Sequence, residues 1–404
     1  MSRNPPRLRS NSDAFRPAEW LLVPAADRPA GADPEASLAA LRAARDGATA
    51  VRLTALERAA ATGGEAASNY VSRYGIAGVH KHVTSGGTSL WQIRIETYPG
   101  HVNNVYLIAG PRGHLLWDAG SNQPSSIRGL EDGFAAVRSF WKQDVALESL
   151  KAIAISHGHV DHFSGAPDLV DRTKAPLFIH EADREVLIDP KGRYAKHVAE
   201  MTRFLGDAGM PKAMQDEILP LYAANKEFCR PTTVARGLRD GDRIGEEVGA
   251  SWRVVHTPGH CPGHLCLRID DTLLTGDHVL ARISPHQGPG FLTPGCGLHL
   301  YFSSLDRVAA MPGIRRALPG HQEPIEDLAS RVLEIRAHHF DRFRTISDLA
   351  VEPGTTWDFT DRLYQGRLKG YNRLLGTLET AAHLEWLEGQ GHFRRGGDGR
   401  TGLA

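Results

Sequence analysis

The chain changes rhythm near Ser89. From there SLWQIRIETYP alternates apolar and polar positions, as a half-buried strand does. VYLIAG and HLLWDAG follow, separated by the turn signal PRG, so hairpin-like β structure is expected. GLEDGFAAVRSFWKQ then fits a helix, and LKAIAIS is a short apolar run suited to a buried strand. PLFIHEADREVL reads as strand then helix. ASWRVVHTPGH, HLCLRIDDTLLTGDHVL and IRRALPGH supply later strands with loops at their ends. Residues 190 to 230 are polar and helical in pattern, an insertion between strands, and after Glu323 the chain turns helical through RVLEIRAHHFDRF and TAAHLEWLEGQ. In front, residues 1 to 85 are rich in Ala, Arg, Gly and Pro. Within them, PEASLAALRAARDGATAVRLTALERAAA places good helix formers at helical spacing. One or two added helices are expected there, packed on the main domain or making a homodimer contact.

Composition narrows the class of protein. The 404 residues leave room for one large domain plus additions. Basic and acidic side chains balance at 47 each, which gives no support for a nucleic-acid or anionic-membrane surface. No apolar run approaches a membrane span. The start, MSRNPPRLRSNSDAF, has Arg but no apolar stretch behind it, so a cytoplasmic location is expected. Cys229, Cys261, Cys266 and Cys296 form no CxxC pair and no disulfide scaffold, and are read as reduced thiols.

The chemistry concentrates in short loops. ISHGHVDHFSG packs His157, His159, Asp161 and His162 together. A surface loop has no need of them and a core could not bury them unsatisfied, so a metal is the natural explanation. Further apolar runs end in a Gly-flanked His or Asp: LLWDAG with Asp118, HTPGHCPGH with His260 and His264, LLTGDH with Asp277, and LPGH with His321. Strand ends with glycine-bearing loops present side chains at one rim of a sheet. Each piece alone has a plain structural explanation, such as a turn-forming Asp. Their order and number make the metal signal.

With these motifs in order, the chain resembles the metallo-β-lactamase superfamily over residues 86 to 330. The resemblance implies an α/β architecture, an αββα sandwich with the site at the shared edge of two sheets. To this sandwich are added an N-terminal helical extension over 1–85, a helical insertion near 190–230, and a small helical C-terminal module over 331–404. It implies that His157, His159 and His260 bind one metal, that Asp161, His162 and His321 bind a second, and that Asp277 bridges them. Asp118 is expected to hydrogen-bond beside a ligand, with His264 and His278 outside the ligand set. Imidazole and carboxylate suit two zinc ions, with iron or manganese as alternatives. The implied activity is dinuclear metal-dependent hydrolysis by a metal-bridging hydroxide, with Asp161 orienting it or passing a proton to the leaving group.

Departures from known branches limit the choice. Flavodiiron proteins usually carry Glu where His159 stands, no long nuclease insertion separates GDH from LPGH, and no Tyr follows Asp277 closely as in many quorum-signal lactonases. A persulfide dioxygenase would not need the second set of ligands. PGHQEPIEDLASRVLEIRAHHFDRF and the tail behind it resemble the β-lactamase-like protein 2 group, with its winged-helix-like module. His338, His339 and Arg342 fall on one helical stretch there, where a packed or solvated face and a role near the site both stay open. Between Asp277 and Tyr301 a Gly- and Pro-rich loop is expected at the site mouth, with Arg282, His286, His299 and Tyr301 as substrate contacts. Met201, Phe204, Leu205, Met210 and Met214 of the insertion either pack it onto the domain or line a lid over an apolar pocket. A thioester or related acyl ester is the expected small-molecule substrate. The rivals are a lactonase, a phosphodiesterase or endoribonuclease, and a non-catalytic binding protein of the same fold.

Overall fold

The computed structural model describes residues 19–22, 78–227 and 229–396; the helices expected within 34–61 lie outside them. Strand β1 (Glu19–Leu22) comes first and joins the C-terminal part of the chain. Strands β2 (Val79–Val83), β3 (Ser89–Tyr98), β4 (His101–Gly110) and β5 (Gly113–Trp117) form an antiparallel meander. Helix α1 (Pro124–Trp141) follows. It starts earlier than the apolar pattern suggests because Pro124, with its preset φ, opens the first turn. Then come β6 (Ala152–Ala154), α2 (Val160–Phe163), α3 (Ala166–Thr173), β7 (Leu177–His180), α4 (Glu185–Ile188) and the helical insertion α5 (Pro190–Asp207) and α6 (Lys212–Glu227). Strand β8 (Arg236–Leu238) completes a seven-stranded sheet in the order β2-β3-β4-β5-β6-β7-β8, parallel from β5 onward.

The second sheet has the order β13-β12-β11-β10-β9. Its strands are β9 (Arg243–Ile244), β10 (Trp252–His256), β11 (Leu265–Ile269), β12 (Thr272–Gly276) and, after helix α7 (Leu298–Ala309), β13 (Arg316–Pro319). The alternation read in the sequence now has a cause. On β3 and β4, Leu90, Tyr106 and Ile108 face the second sheet's Val254, Leu265, Leu267 and Leu274 in one buried cluster. Trp91, Ile93, Val105 and Leu107 turn the other way, onto Leu130, Phe134 and Val137 of α1. On the far side of the second sheet, Val255 and Leu273 pack with Tyr301, Leu305 and Val332. These are the helix–sheet–sheet–helix layers of the expected αββα sandwich.

The C-terminal part is helical, as expected: α8 (Leu328–Asp348), α9 (Thr356–Tyr364) and α10 (Tyr371–Gly389), with short strands β14 (Gly354–Thr355) and β15 (Phe393–Gly396). Strand β1 lies between β14 and β15 in an antiparallel sheet, pairing Trp20 with Gly354 and Arg395. Residues 19–22 are thus stitched into the C-terminal part of the chain. The insertion packs there too: Met201, Phe204, Leu205 and Met210 are buried and Met214 partly so, against Leu374, Leu378 and Ala381 of α10. Met201, Phe204, Leu205 and Met210 thus bind helices together. Among the described residues, no helix is long and apolar enough to cross a membrane.

Leu267 is fully buried between the sheets. Leu267→Ala is expected to cost about 2–5 kcal/mol, read as a lower denaturation midpoint in guanidinium.

Candidate metal centre

The motif-bearing loops leave the ends of β5, β6, β10, β12 and β13 and meet at one edge of the sandwich. His157, His159 and His260 present ligand atoms within 4.8 Å of one another, as do His157, His162 and Asp277. His159 Nδ1 and His260 Nε2 are 3.0 Å apart. Asp277 faces both groups, with Oδ1 3.5 Å from His162 Nε2 and Oδ2 3.3 Å from His321 Nε2 and 4.0 Å from His260 Nε2. Asp161 Oδ2 lies 3.4 Å from His321 Nε2 and 3.5 Å from His162 Nε2. The structure therefore brings together every side chain expected to bind metal.

Imidazole orientation follows from what each Nδ1 touches. His162 Nδ1 donates to Asp118 Oδ2 at 2.9 Å, His260 Nδ1 to the His286 carbonyl at 2.6 Å, and His321 Nδ1 to the Val102 carbonyl at 2.8 Å. Those oxygens only accept, so each Nδ1 carries the proton and Nε2 is the atom turned to the pocket. His157 Nδ1 donates to Ser156 Oγ at 2.9 Å, and the Ser156 hydroxyl donates in turn to Asp118 Oδ2 at 2.9 Å. Its Nε2 is buried without a hydrogen-bond partner, as is Asp277 Oδ1. Orphaned buried acceptors of this kind call for a cation, so the residues fit a metal.

The charges agree. Burial opposes ionisation of Asp161 and Asp277, yet His162 and His321 hold both carboxyls well below their usual range. Burial likewise opposes a proton on His162, but Asp161, Asp277 and Asp118 outweigh it and raise its pKa well above the ordinary value. His321 is pushed up to about 10, against its own burial, by Asp277 and Asp161. On the other side of the pocket, burial first and neighbouring imidazoles second push His157 and His159 well down, leaving neutral nitrogens.

Local backbone serves this convergence. Asp118 takes a positive φ of 66° at the end of β5, which Asp tolerates better than most residues. It thereby accepts from the Ser156 amide at 2.7 Å as well as from His162. Gly320 must be glycine for a different reason: a Cβ there would stand 2.5 Å from Asp277 Oδ1 and 2.8 Å from His162 Cε1. His264 is structural. Its Nδ1 bonds Thr257 Oγ1 at 2.8 Å and its Nε2 accepts the Asp277 amide at 3.0 Å. His278 packs between His264 and Tyr301, away from the ligand groups.

Several residues of the site were not singled out in the sequence. His101 Nε2 and Asn103 Nδ2 each lie 3.0 Å from Asp161 Oδ2, and Asn104 Nδ2 donates to the carbonyls of Pro319 and Gln322, clamping the His321 loop. Their signal was available: HVNN interrupts an apolar strand with polar residues. Asp183 accepts from the Gly158 and Gly263 amides and the Cys261 thiol, tying the two histidine loops together. Burial pushes the Cys261 thiol well up, so it stays a protonated donor.

The expected substrate contacts fare unevenly. Tyr301 is corrected: it is wholly buried, and its hydroxyl donates to the His278 carbonyl at 2.9 Å. The segment expected to be loop becomes α7 at Leu298, and Leu298, Tyr301, Phe302, Leu305 and Val308 form its inward stripe. Arg282 is exposed and paired with Glu323 at 3.1 Å. His286 turns its side chain to Glu379 at 3.7 Å, and His299 is exposed on α7.

Comparison with known proteins agrees with this geometry. Residues 98–336 match the model of the Metallo-beta-lactamase superfamily. A metallo-beta-lactamase family protein of Thermus thermophilus superposes with a TM-score of 0.62 at 27% identity, over 76% of this chain and 96% of that one. An uncharacterized protein of Mycobacterium tuberculosis is 29% identical over 177 residues, 42% of this chain and 68% of its own length. A hydroxyacylglutathione hydrolase of Halorhodospira halophila is 24% identical over 55% of this chain and 66% of its own. An atrochrysone carboxyl ACP thioesterase of Aspergillus chevalieri is 26% identical over 60% of this chain and 58% of its own.

Two substitutions probe the centre. Asp118→Asn removes the carboxylate that orients His162 and is expected to weaken zinc binding about 10–100-fold, measured by competition with a chromophoric chelator. Gly320→Ala is expected to lower metal content through its collision with Asp277, while circular dichroism still reports a folded chain.

Proposed function

The chain belongs to the metallo-β-lactamase superfamily, and on that premise we propose that it is a dinuclear metal-dependent hydrolase acting on a thioester or related acyl ester. His157, His159 and His260 would hold one metal, Asp161, His162 and His321 the other, with Asp277 between them; zinc suits this imidazole and carboxylate set. The observation that carries the reading is the arrangement of these side chains with their Nδ1 atoms tied back and Nε2 of His157, His162, His260 and His321 turned inward. When bound, such metals lower the pKa of a water toward 7 and polarise an acyl oxygen.

The chain's own residues do the rest. Asp161 Oδ2 lies 3.0 Å from both His101 Nε2 and Asn103 Nδ2, which supports a role for its carboxylate in orienting the attacking hydroxide or passing a proton to the leaving group. Asp118 acts through His162, which it positions. The acyl preference is supported by relatives named a hydroxyacylglutathione hydrolase and an atrochrysone carboxyl ACP thioesterase. Large apolar side chains exposed after Asp277, Ile283 and Phe291, also suit an acyl chain. The helices of the C-terminal part, and the antiparallel sheet that its two strands form with β1, support reading it as the winged-helix-like module.

The test is turnover of acyl thioesters, acyl lactones and phosphodiesters by metal-loaded protein. Thioester cleavage is expected, lost on chelation and restored by zinc, with Asp277→Ala reducing it at least about a hundredfold. Cleavage of lactones or phosphodiesters alone would overturn the substrate assignment, and turnover that survives complete metal removal would overturn the mechanism.

A further inference from the structure

We propose that His338, His339 and Glu379 form an additional metal site, separate from the centre at the sheet edge, that takes a divalent cation of the zinc class. Their ligand atoms lie within 4.8 Å of one another. His338 and His339 are neighbours on α8, and Glu379 comes from α10. Consecutive helical side chains point about 100° apart, so such a pair needs a ligand from a facing helix to close round one ion, and Glu379 supplies it.

The hydrogen bonds leave a bare lone pair on His339. His383 Nδ1 donates to the Glu379 carbonyl at 2.6 Å, which fixes the proton on that nitrogen. His383 Nε2 is then the acceptor facing His339 Nδ1 at 3.1 Å, so His339 carries its proton on Nδ1. His339 Nε2 is left as an acceptor, buried and without a partner, in a residue of 0% exposure. Native structures rarely leave such a group unsatisfied, and a metal satisfies it. His383 stands to His339 as hydrogen-bonded partners stand to ligating histidines elsewhere, fixing tautomer and ring orientation.

Glu379 points the same way. Its side chain is 19% exposed, and among the described residues no Lys or Arg pairs with it; its one ion-pair neighbour is His286, 3.7 Å away. A mostly buried carboxylate facing imidazoles attracts a cation. Ligand atoms on a tetrahedral zinc sit about 3.4 Å apart, so the cluster must tighten, and His338, exposed at its outer edge, has the freedom to rotate in. The site would also brace the main centre, because His286, which orients Glu379, accepts the Nδ1 proton of His260 through its own carbonyl.

The test is metal content of the full chain, stripped with chelator, reloaded with zinc, desalted and analysed by mass spectrometry. His338→Ala is expected to retain about one zinc per chain fewer than the unaltered protein, with the fold unchanged because the side chain is exposed. Glu379→Gln gives a second removal of the same site. In the converse variant, His157→Ala with Asp277→Ala, the zinc lost with His338→Ala should still be retained, so failure of the main centre and failure of this site give different patterns. Equal zinc content in the unaltered protein, His338→Ala and Glu379→Gln would overturn the proposal.

Discussion

A carboxylate withdrawn from water must face something positive or something that donates to it. This fold gathers Asp118, Asp161 and Asp277 at one sheet edge. The rest of the site answers that demand. Histidines arrive from loops on both sheets, most with Nδ1 anchored to an oxygen outside the pocket, so that their second nitrogen has one direction left. Burial alone would keep all of them neutral, with one ring proton each. His162 and His321 are the exceptions, and they are the two that face the carboxylates most directly. The same geometry that makes the pocket costly without positive charge makes it selective for a cation.

The anchors explain why the scaffold has its particular connections. Asn104 and Tyr106 of β4 hold the Pro319 carbonyl, so the first sheet clamps a loop that leaves the second. Asp183, just beyond β7, fastens the loop of His157 to the loop of His260. Behind the site, the insertion, the mouth loop and α10 share contacts, including Phe204 against Phe291 and Glu379 against His286. The C-terminal helices are thus braced against the metal-binding loops.

The sequence made legible whatever is local. Alternation along β3 and β4, the apolar run of β6 and the spacing of HxHxDH follow from strand and loop geometry within a few residues. What escaped is set by contacts across the fold. His101 and Asn103 reach Asp161 from a neighbouring hairpin, and only the interruption of an apolar strand by HVNN hinted at them. The burial of Tyr301 is hidden because glycines and prolines before it mask the start of α7, although Leu298, Tyr301, Leu305 and Val308 carry a helical period. The pairing of Glu19–Leu22 with strands more than three hundred residues later has no local signature at all.

The most direct measurement is anomalous diffraction from crystals of the zinc-loaded protein at the zinc absorption edge. A dinuclear centre predicts a pair of peaks about 3.5–4 Å apart, one among His157, His159 and His260, the other among Asp161, His162 and His321, with Asp277 between them. A single peak at that edge of the sandwich, or peaks that leave Asp277 uncoordinated, would contradict it.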